Sequence, residues 1–361
     1  MARIGIADAD LISRKKHRFP NLACMKISAY YKAQGNDVSL LLSWNDIENY
    51  DKVFVSKVFT DTPVPDGIEE LPFVECGGTG FFFDKAPNLP DEIEHHFPDY
   101  HLYDDFINEK IADGAKRVEF KEFLDYSIGF VTRGCFRKCG FCVNQKYDRV
   151  FCHSPISEFY DPTRPKICLL DDNFFGYPEW QQILKELQDT GKPFKFKQGL
   201  DERLLTDEKC EMLCRSKYDG YITFAFDNIA DYPLIEKKLQ LIRRHTKHQF
   251  NFYVLCAYES QDAKDIENTF LRIQLLMRYK CTPYIMRFEK YKESEYRGMY
   301  ITLARWCNQQ SFLKKKSFRE FCTMNGENSA SMRYAEEFER QHPEIATKYF
   351  DMKWGDFDES P

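Results

Sequence analysis

Three cysteines on one short loop carry the most specific chemistry in this chain. Cys135, Cys139 and Cys142 form a C-x3-C-x2-C array within VTRGCFRKCGFCVNQK, positions 131–146, directly after the apolar run 128–131. Thiolates this close in sequence can converge on a single metal centre. Four cysteines would close an iron–sulfur cluster completely, whereas three leave one metal position without a protein ligand, and an open position is what a reactive site requires. A zinc knuckle would need a fourth ligand, which Cys152 or His153 could supply.

The array resembles the motif of the radical S-adenosylmethionine superfamily. The resemblance implies that Cys135, Cys139 and Cys142 hold a [4Fe–4S] cluster whose remaining iron takes the amino and carboxylate groups of S-adenosylmethionine. It further implies reductive cleavage of the sulfonium to methionine and a 5′-deoxyadenosyl radical that abstracts hydrogen from a substrate. The radical chemistry would belong to the cofactors and the positioning to the protein. Phe141 stands at the aromatic position before the third cysteine, which in the superfamily lies beside the adenine. A reductant such as flavodoxin or ferredoxin is implied as a partner, and Arg133, Arg137, Lys138 and Lys146 around the array would suit such an acidic protein or an anionic substrate.

A reactive loop needs elements to hold it, and from about residue 116 the chain repeats a short apolar strand, a polar end and an amphipathic helix. Strands are predicted over 126–131, 167–170, 194–197, 221–226, 252–255 and 284–288. Between them run helical stripes such as Trp180, Ile183, Leu184 and Leu187, or Ile266, Phe270, Ile273 and Met277. Six units of roughly 30 residues fit right-handed βαβ repetition. They predict a (β/α)6 partial TIM barrel over 120–290, in which chemistry gathers at the carboxyl ends of the strands. Asp171, Asp172 and Asn173, then Gln198, Asp201 and Arg203, then Asp227 end these strands and form the candidate cofactor-binding set. By the resemblance, residues 171–173 stand where the superfamily carries a Gly-Gly-Glu-like segment for the methionine amino group. Gln198, Asp201 and Arg203 would then meet the carboxylate and sugar hydroxyls, and Asp227 the ribose. Arg203 could pair bidentately with a carboxylate. Each of these residues also reads as an ordinary cap or turn.

Residues 1–90 alternate in the same manner, with strands predicted over 3–7, 38–42, 52–58 and 73–76. A helix carries Leu22, Met25, Ala29 and Ala33 on one face and stops at Gly35. This predicts an N-terminal doubly wound, Rossmann-like domain in an α/β chain. Asp8, Asp10 and the glycine turn 77–80 would lie at its ligand-binding edge, although G-x-G-x-x-G is absent. Such a domain before the cysteine array is similar to the cobalamin-linked and methylthio-transferring branches of the superfamily. The D-x-H-x-x-G of the cobalamin branch is absent, the nearest segment being Asp99-Tyr100-His101-Leu102-Tyr103-Asp104. Some cobalamin-binding relatives lack that histidine, so cobalamin stays open as a cofactor. The methylthio-transferring branch would bring three further cysteines, whereas only Cys24 and Cys76 precede the array. Phe19-Pro20-Asn21-Leu22-Ala23 resembles a branch without an assigned substrate.

Residues 91–119, with His95, His96 and His101 among acidic side chains and with Pro98, read as a solvated linker. Residues 291–361 read as a helical C-terminal extension whose run Lys314-Lys315-Lys316 is a solvated face and whose acidic end, 351–361, frays. Cys210 and Cys214 fit the apolar stripe of a helix better than a second metal site. With 361 residues and 43 % hydrophobic content the chain can fill two cores. Thirteen cysteines at irregular spacing favour a reducing cytosol over a disulfide framework. The N-terminal residues have no apolar signal core, and no window reaches roughly 18 uninterrupted apolar residues, so a soluble cytoplasmic protein without membrane attachment is expected. A net charge of −6 argues against non-specific wrapping of nucleic acid and leaves a small molecule or a locally bound nucleic acid as substrate. The reading is a radical S-adenosylmethionine enzyme of open substrate. The alternative is a non-catalytic iron–sulfur or zinc module that binds nucleic acid or a protein partner.

Overall fold

The computed structural model describes residues 1–15, 17–324, 326 and 328–357, so the last four residues of the acidic end lie outside the described residues. The chain is α/β with parallel sheets and divides into two compact units, Met1–Gln198 and Gly199–Pro361. The division falls inside the third of the six predicted strand–helix units, directly after its strand, where the sequence carries no linker composition.

In the first unit β1 (Arg3–Asp8), β2 (Asp37–Leu40), β3 (Lys52–Ser56) and β4 (Val74–Gly77) form a wholly parallel sheet in the order β2-β1-β3-β4. The strand order turns back at β1, which leaves a crevice outside the carboxyl ends. The two central strands, β1 and β3, are buried along almost their whole length, which is why they read as apolar runs rather than as alternation. Ile4, Ile6 and Phe54 pack on Met25 and Ile27 of the helix Leu22–Ala33, while Ala7, Val53 and Val55 pack on Leu41 and Ile68. That helix begins where the side chain of Asn21 accepts from the Cys24 N–H at 3.3 Å.

The stretch 91–119 is part of this core and not a solvated connector. Ile93, Tyr100, Leu102, Tyr103 and Ile107 are buried in the same cluster as Ile4 and Met25, at about 1.5–3 kcal/mol for each large apolar side chain removed from water. Tyr103 donates its hydroxyl to Asp8 Oδ2 at 2.9 Å and accepts from the Asn21 N–H at 3.0 Å. The segment is therefore locked to β1 and to the start of the helix together.

The chain then enters β5 (Tyr126–Gly129), β6 (Thr132–Arg133), β7 (Phe151–Cys152), β8 (Lys166–Leu169) and β9 (Phe194–Phe196). β5, β8 and β9 form a parallel sheet in that order, while β6 and β7 pair antiparallel, with Thr132 opposite Cys152 and Arg133 opposite Phe151. This small ribbon closes the loop that carries the three cysteines.

In the second unit β10 (Thr223–Ala225), β11 (Asn251–Cys256) and β12 (Thr282–Arg287) are parallel in sequence order, joined through the helices Tyr232–Arg243 and Ala263–Arg278. Phe252, Val254 and Cys256 alternate inward along β11. The helices Arg297–Cys307 and Ala330–Gln341 follow, and Tyr300, Trp306, Phe338 and Tyr349 are buried among them. Cys210 is buried on the helix Asp207–Arg215, as its place on the apolar stripe predicts. No described helix is long and apolar enough to cross a membrane.

Candidate metal centre and adjoining cavity

β5 and β8 are neighbours in their sheet, so the residues that follow one strand meet those that follow the other. Asp171 is completely buried. Its Oδ1 accepts from the N–H and the hydroxyl of Thr132, each at 2.6 Å, and its Oδ2 accepts from the Val131 N–H at 3.3 Å. Burial pushes this carboxyl up to about 7 against the opposing pull of those hydrogen bonds. Asp172 reaches both ends of the cysteine loop, accepting from the Gly134 N–H at 2.8 Å and from Asn144 Nδ2 at 2.7 Å. Gly134 has φ +88°, and a Cβ there would lie 2.4 Å from the Arg149 carbonyl oxygen, so only glycine lets the two arms of the loop come this close.

The sulfurs are met by N–H donors. Cys135 Sγ accepts from Asn173 Nδ2 and from the Arg137 N–H, both at 3.3 Å, and Cys142 Sγ accepts from the Asn144 N–H at 3.4 Å. Hydrogen bonds of this kind stabilise thiolate ligands and tune iron–sulfur centres. Asn173 Oδ1 is buried without a hydrogen-bond partner. All three cysteines are partly exposed, and Phe141 is half-buried between the second and third. Among the described residues no group of three or more His, Cys, Asp or Glu side chains is assembled to hold a metal ion. By donor chemistry the loop suits a thiolate-ligated cluster, with three thiols and amide donors already on two of them. His153 faces elsewhere, with Nδ1 2.9 Å from Ser154 Oγ and Nε2 3.3 Å from Glu94 Oε1. Lys138 donates to the carbonyls of Gln145 and Tyr147, and Lys146 to the Ala86 carbonyl and the Asn88 side chain, so both lysines brace the loop.

Beside this loop, within the same unit, lies a cavity of about 580 Å³ lined by the ends of β3 and β4, the helix Leu22–Ala33, residues 83–95 and the β6–β7 ribbon. On its wall Lys26, only 5 % exposed, donates to the backbone oxygen of Glu94 and to Glu94 Oε1 at 3.1 Å. Arg133 NH1 lies 3.9 Å from the same Oε1. Burial raises the Glu94 carboxyl, but the His153 hydrogen bond and the Lys26 and Arg133 charges outweigh it and hold the group down at about 2. The glycine turn also lines the cavity. At Gly78, with φ +99°, a Cβ would sit 2.3 Å from the Lys57 carbonyl oxygen, so this glycine serves the chain's close approach to itself. Asp8 and Asp10 are absorbed internally, Asp8 by Tyr103 and the Leu11 N–H, Asp10 by the Val58 N–H and the Thr62 hydroxyl.

No family model and no curated protein matches this chain. Among solved structures it is similar to OxsB, a cobalamin-dependent S-adenosylmethionine radical enzyme determined with aqua-cobalamin and S-adenosylmethionine bound. The two share 14 % identity at a TM-score of 0.36, over 95 % of this chain and 62 % of that one. The chain thus spans less than two thirds of that enzyme's length.

The remaining predicted residues end the later strands. Gln198, after β9, is exposed. In the second unit Asp201 Oδ1 accepts from Arg203 Nε at 2.7 Å, and Arg203 NH1 lies 3.0 Å from Asp231 Oδ2, so the predicted acid and base are paired with each other. Asp227 Oδ1 accepts from the Leu255 N–H at 3.0 Å. Three further polar groups escaped the sequence reading. Glu202 is buried, accepts from the Ala225 N–H at 3.1 Å and is lifted to about 8 by burial and then by Asp201. Arg272 is buried and donates through NH1 to the carbonyls of Phe226, Asp227 and Leu255 at 2.8–2.9 Å, clamping the ends of β10 and β11. Its position between Phe270 and Ile273 on an apolar stripe was the available signal. Asp265 accepts from Tyr300 OH and from the N–H of Ala257, both at 2.8 Å, and Ala257 holds a left-handed φ of +60° at the end of β11.

Proposed function

We propose that this chain is a radical S-adenosylmethionine enzyme. The observation that carries the reading is the cysteine loop itself: a C-x3-C-x2-C array closed by the β6–β7 ribbon and tied to the end of β8 by Asp171, Asp172 and Asn173. In the proposal Cys135, Cys139 and Cys142 hold a [4Fe–4S] cluster which, with S-adenosylmethionine bound, supplies one-electron cleavage of the sulfonium to methionine and a hydrogen-abstracting 5′-deoxyadenosyl radical. Asp171 and Asp172 fix the loop backbone, and the Asn173 amide donates to Cys135 Sγ. Phe141, Gln198, Asp201, Arg203 and Asp227 are assigned as contacts of the nucleoside and carboxylate on the sequence pattern. The electron is assigned to a small acidic donor of the flavodoxin or ferredoxin kind.

Cobalamin stays open as a further cofactor in this reading, with the size of the cavity against it. The cavity beside the loop, at about 580 Å³, lies within the roughly 300–1,000 Å³ typical of drug-sized ligands, and a corrinoid with its nucleotide tail is larger. Of the imidazoles lining the cavity, His153 bonds Ser154 and Glu94 through its two ring nitrogens, while His95 bonds Glu158 through Nδ1 alone.

The test is anaerobic reconstitution with iron and sulfide, followed by S-adenosylmethionine and dithionite. The expected products are 5′-deoxyadenosine and methionine in equal amounts, abolished when Cys135, Cys139 and Cys142 become alanine. A protein that binds no cluster, or keeps one after all three replacements, would overturn the proposal. Stoichiometric zinc with no nucleoside release would point to the non-catalytic module.

A further inference from the structure

Arg133 is held in place without a hydrogen bond to hold. Its backbone is fixed in the ribbon opposite Phe151, and its guanidinium carbon lies 4.0 Å from the centre of the Phe130 ring. Glu94 Oε1 and Asp172 Oδ2 each lie 3.9 Å from the guanidinium, beyond hydrogen-bond reach. Its Nε is buried with no hydrogen-bond partner. A guanidinium presents five N–H donors in a rigid fork that matches carboxylate and phosphate oxygens in pairs. Here the fork is positioned by stacking and by flanking charge, on a residue that lines the cavity.

The surrounding charges point the same way. Lys26 and His153 already converge on Glu94, and both oxygens of Asp172 already accept from the cysteine loop. Arg133, with 21 % of its side chain exposed, therefore keeps donors that the flanking carboxylates do not hydrogen-bond. Leu22, Ile27, Phe54 and Phe83 give the cavity apolar surface, and Glu75, Asp91 and Lys146 line it as well.

We propose that this cavity binds a small molecule through an oxyanion, a carboxylate or a phosphate, gripped in two places by Arg133 with Lys26 and His153 beside it. Because Arg133 precedes Cys135 by two residues, the anion is anchored next to the cysteine loop. The proposal concerns the metal-free chain and stands apart from the radical reading, so either can fail alone.

Metal-free full-length protein is titrated calorimetrically with inorganic phosphate and, separately, with succinate. Arg133→Gln and Arg133→Lys are compared with Arg215→Gln, a charge-matched change at an exposed arginine of the second unit. At least one probe should bind the parent and the Arg215→Gln control equally. Arg133→Gln should weaken that binding by at least about tenfold, equivalent to about 1.4 kcal/mol. Arg133→Lys should fall between, because it keeps the charge and loses the fork. Binding of phosphate alone assigns a phosphorylated ligand, and binding of succinate a carboxylated one. Failure of both probes to bind the parent, or undiminished affinity in Arg133→Gln, would overturn the proposal. If circular dichroism shows that Arg133→Gln does not fold, Arg133→Lys decides alone, and unchanged affinity there overturns it.

Discussion

Replacing Asp172 with alanine should loosen the cysteine loop without unfolding the protein. Its carboxylate, only 9 % exposed, accepts from Gly134, which precedes Cys135, and from Asn144, which follows Cys142. Hydrogen bonds to a charged acceptor contribute about 1.5–3 kcal/mol each. The lower figure applies here because Asn144 is partly exposed, and the two bonds then amount to about 3 kcal/mol, a factor of about 100 in the closed loop's population. β5 and β8 keep their own ladder and core, so the loss is local. The assay is retention of iron and acid-labile sulfide by anaerobically reconstituted protein under an iron chelator. Asp172→Ala should release the cluster about 100-fold faster than the parent, with near-parental thermal unfolding of the metal-free form. Asp172→Asn keeps an acceptor for one donor and should lie between. If Asp172→Ala holds its cluster as long as the parent, the anchoring argument is wrong. Should it also lose S-adenosylmethionine in equilibrium dialysis, the carboxylate is a cofactor contact instead.

Gly134→Ala places a Cβ against the Arg149 carbonyl in a left-handed backbone. It should cost about 1–3 kcal/mol of loop strain, read as reduced cluster content with unchanged circular dichroism. Arg272→Met leaves the carbonyls of Phe226, Asp227 and Leu255 without their shared donor. It should lower stability by about 3 kcal/mol or more, seen as a lower urea midpoint, and an unchanged midpoint would contradict the clamp. Stability should also depend on pH. Asp171 and Glu202 are raised by burial to about 7 and about 8, so between about pH 4 and these values the folded protein holds protons that the unfolded chain has released. Stability therefore falls as pH rises through that window. Glu94, held at about 2, works in the opposite sense, and its contribution is lost as pH falls from about 4.5 towards 2. Urea midpoints should be higher at pH 5 than at pH 8, and Glu202→Gln should flatten the slope; a midpoint that rises over this range would contradict the assignment.

The parallel strands could be read from sequence because their core positions are buried, nearly throughout in β1 and β3 and at every second residue in β11. Ile4, Ile6, Val53 and Val55, or Phe252 and Val254, have to be apolar wherever the chain goes next. The β6–β7 ribbon could not be read in this way. It has two residues in each strand, too few for any period, and its pairing is imposed by closure of the loop and by the hydrogen bonds of Asp171. The stretch 91–119 was misread for a different reason. Its proline, histidines and acids match a linker composition, while its contribution to the core rests on Tyr100 and Tyr103, whose burial is possible only because their hydroxyls find the Ile128 and Phe159 backbone and Asp8. Those partners are distant in sequence.

The same contrast separates the two parts of the candidate site. The cysteine array is local, so spacing alone announces it, and the strand-end acids acquire meaning from the alternating pattern around them. Lys26, Glu94 and Arg133 carry no such local mark. Taken singly, each is a charged side chain whose burial is unfavourable, and solvation is the sound inference for each. The fold reverses that inference by bringing Lys26 to Glu94 across 68 residues and by setting both beside a guanidinium on the ribbon. Mutual compensation makes burial tolerable for the acid and for one of the cations, and it leaves the other without a hydrogen-bonded partner. A mismatch of this kind is a property of three elements together, the helix Leu22–Ala33, the short helix Asp91–Glu94 and β6, and the sequence of any one of them is silent about it.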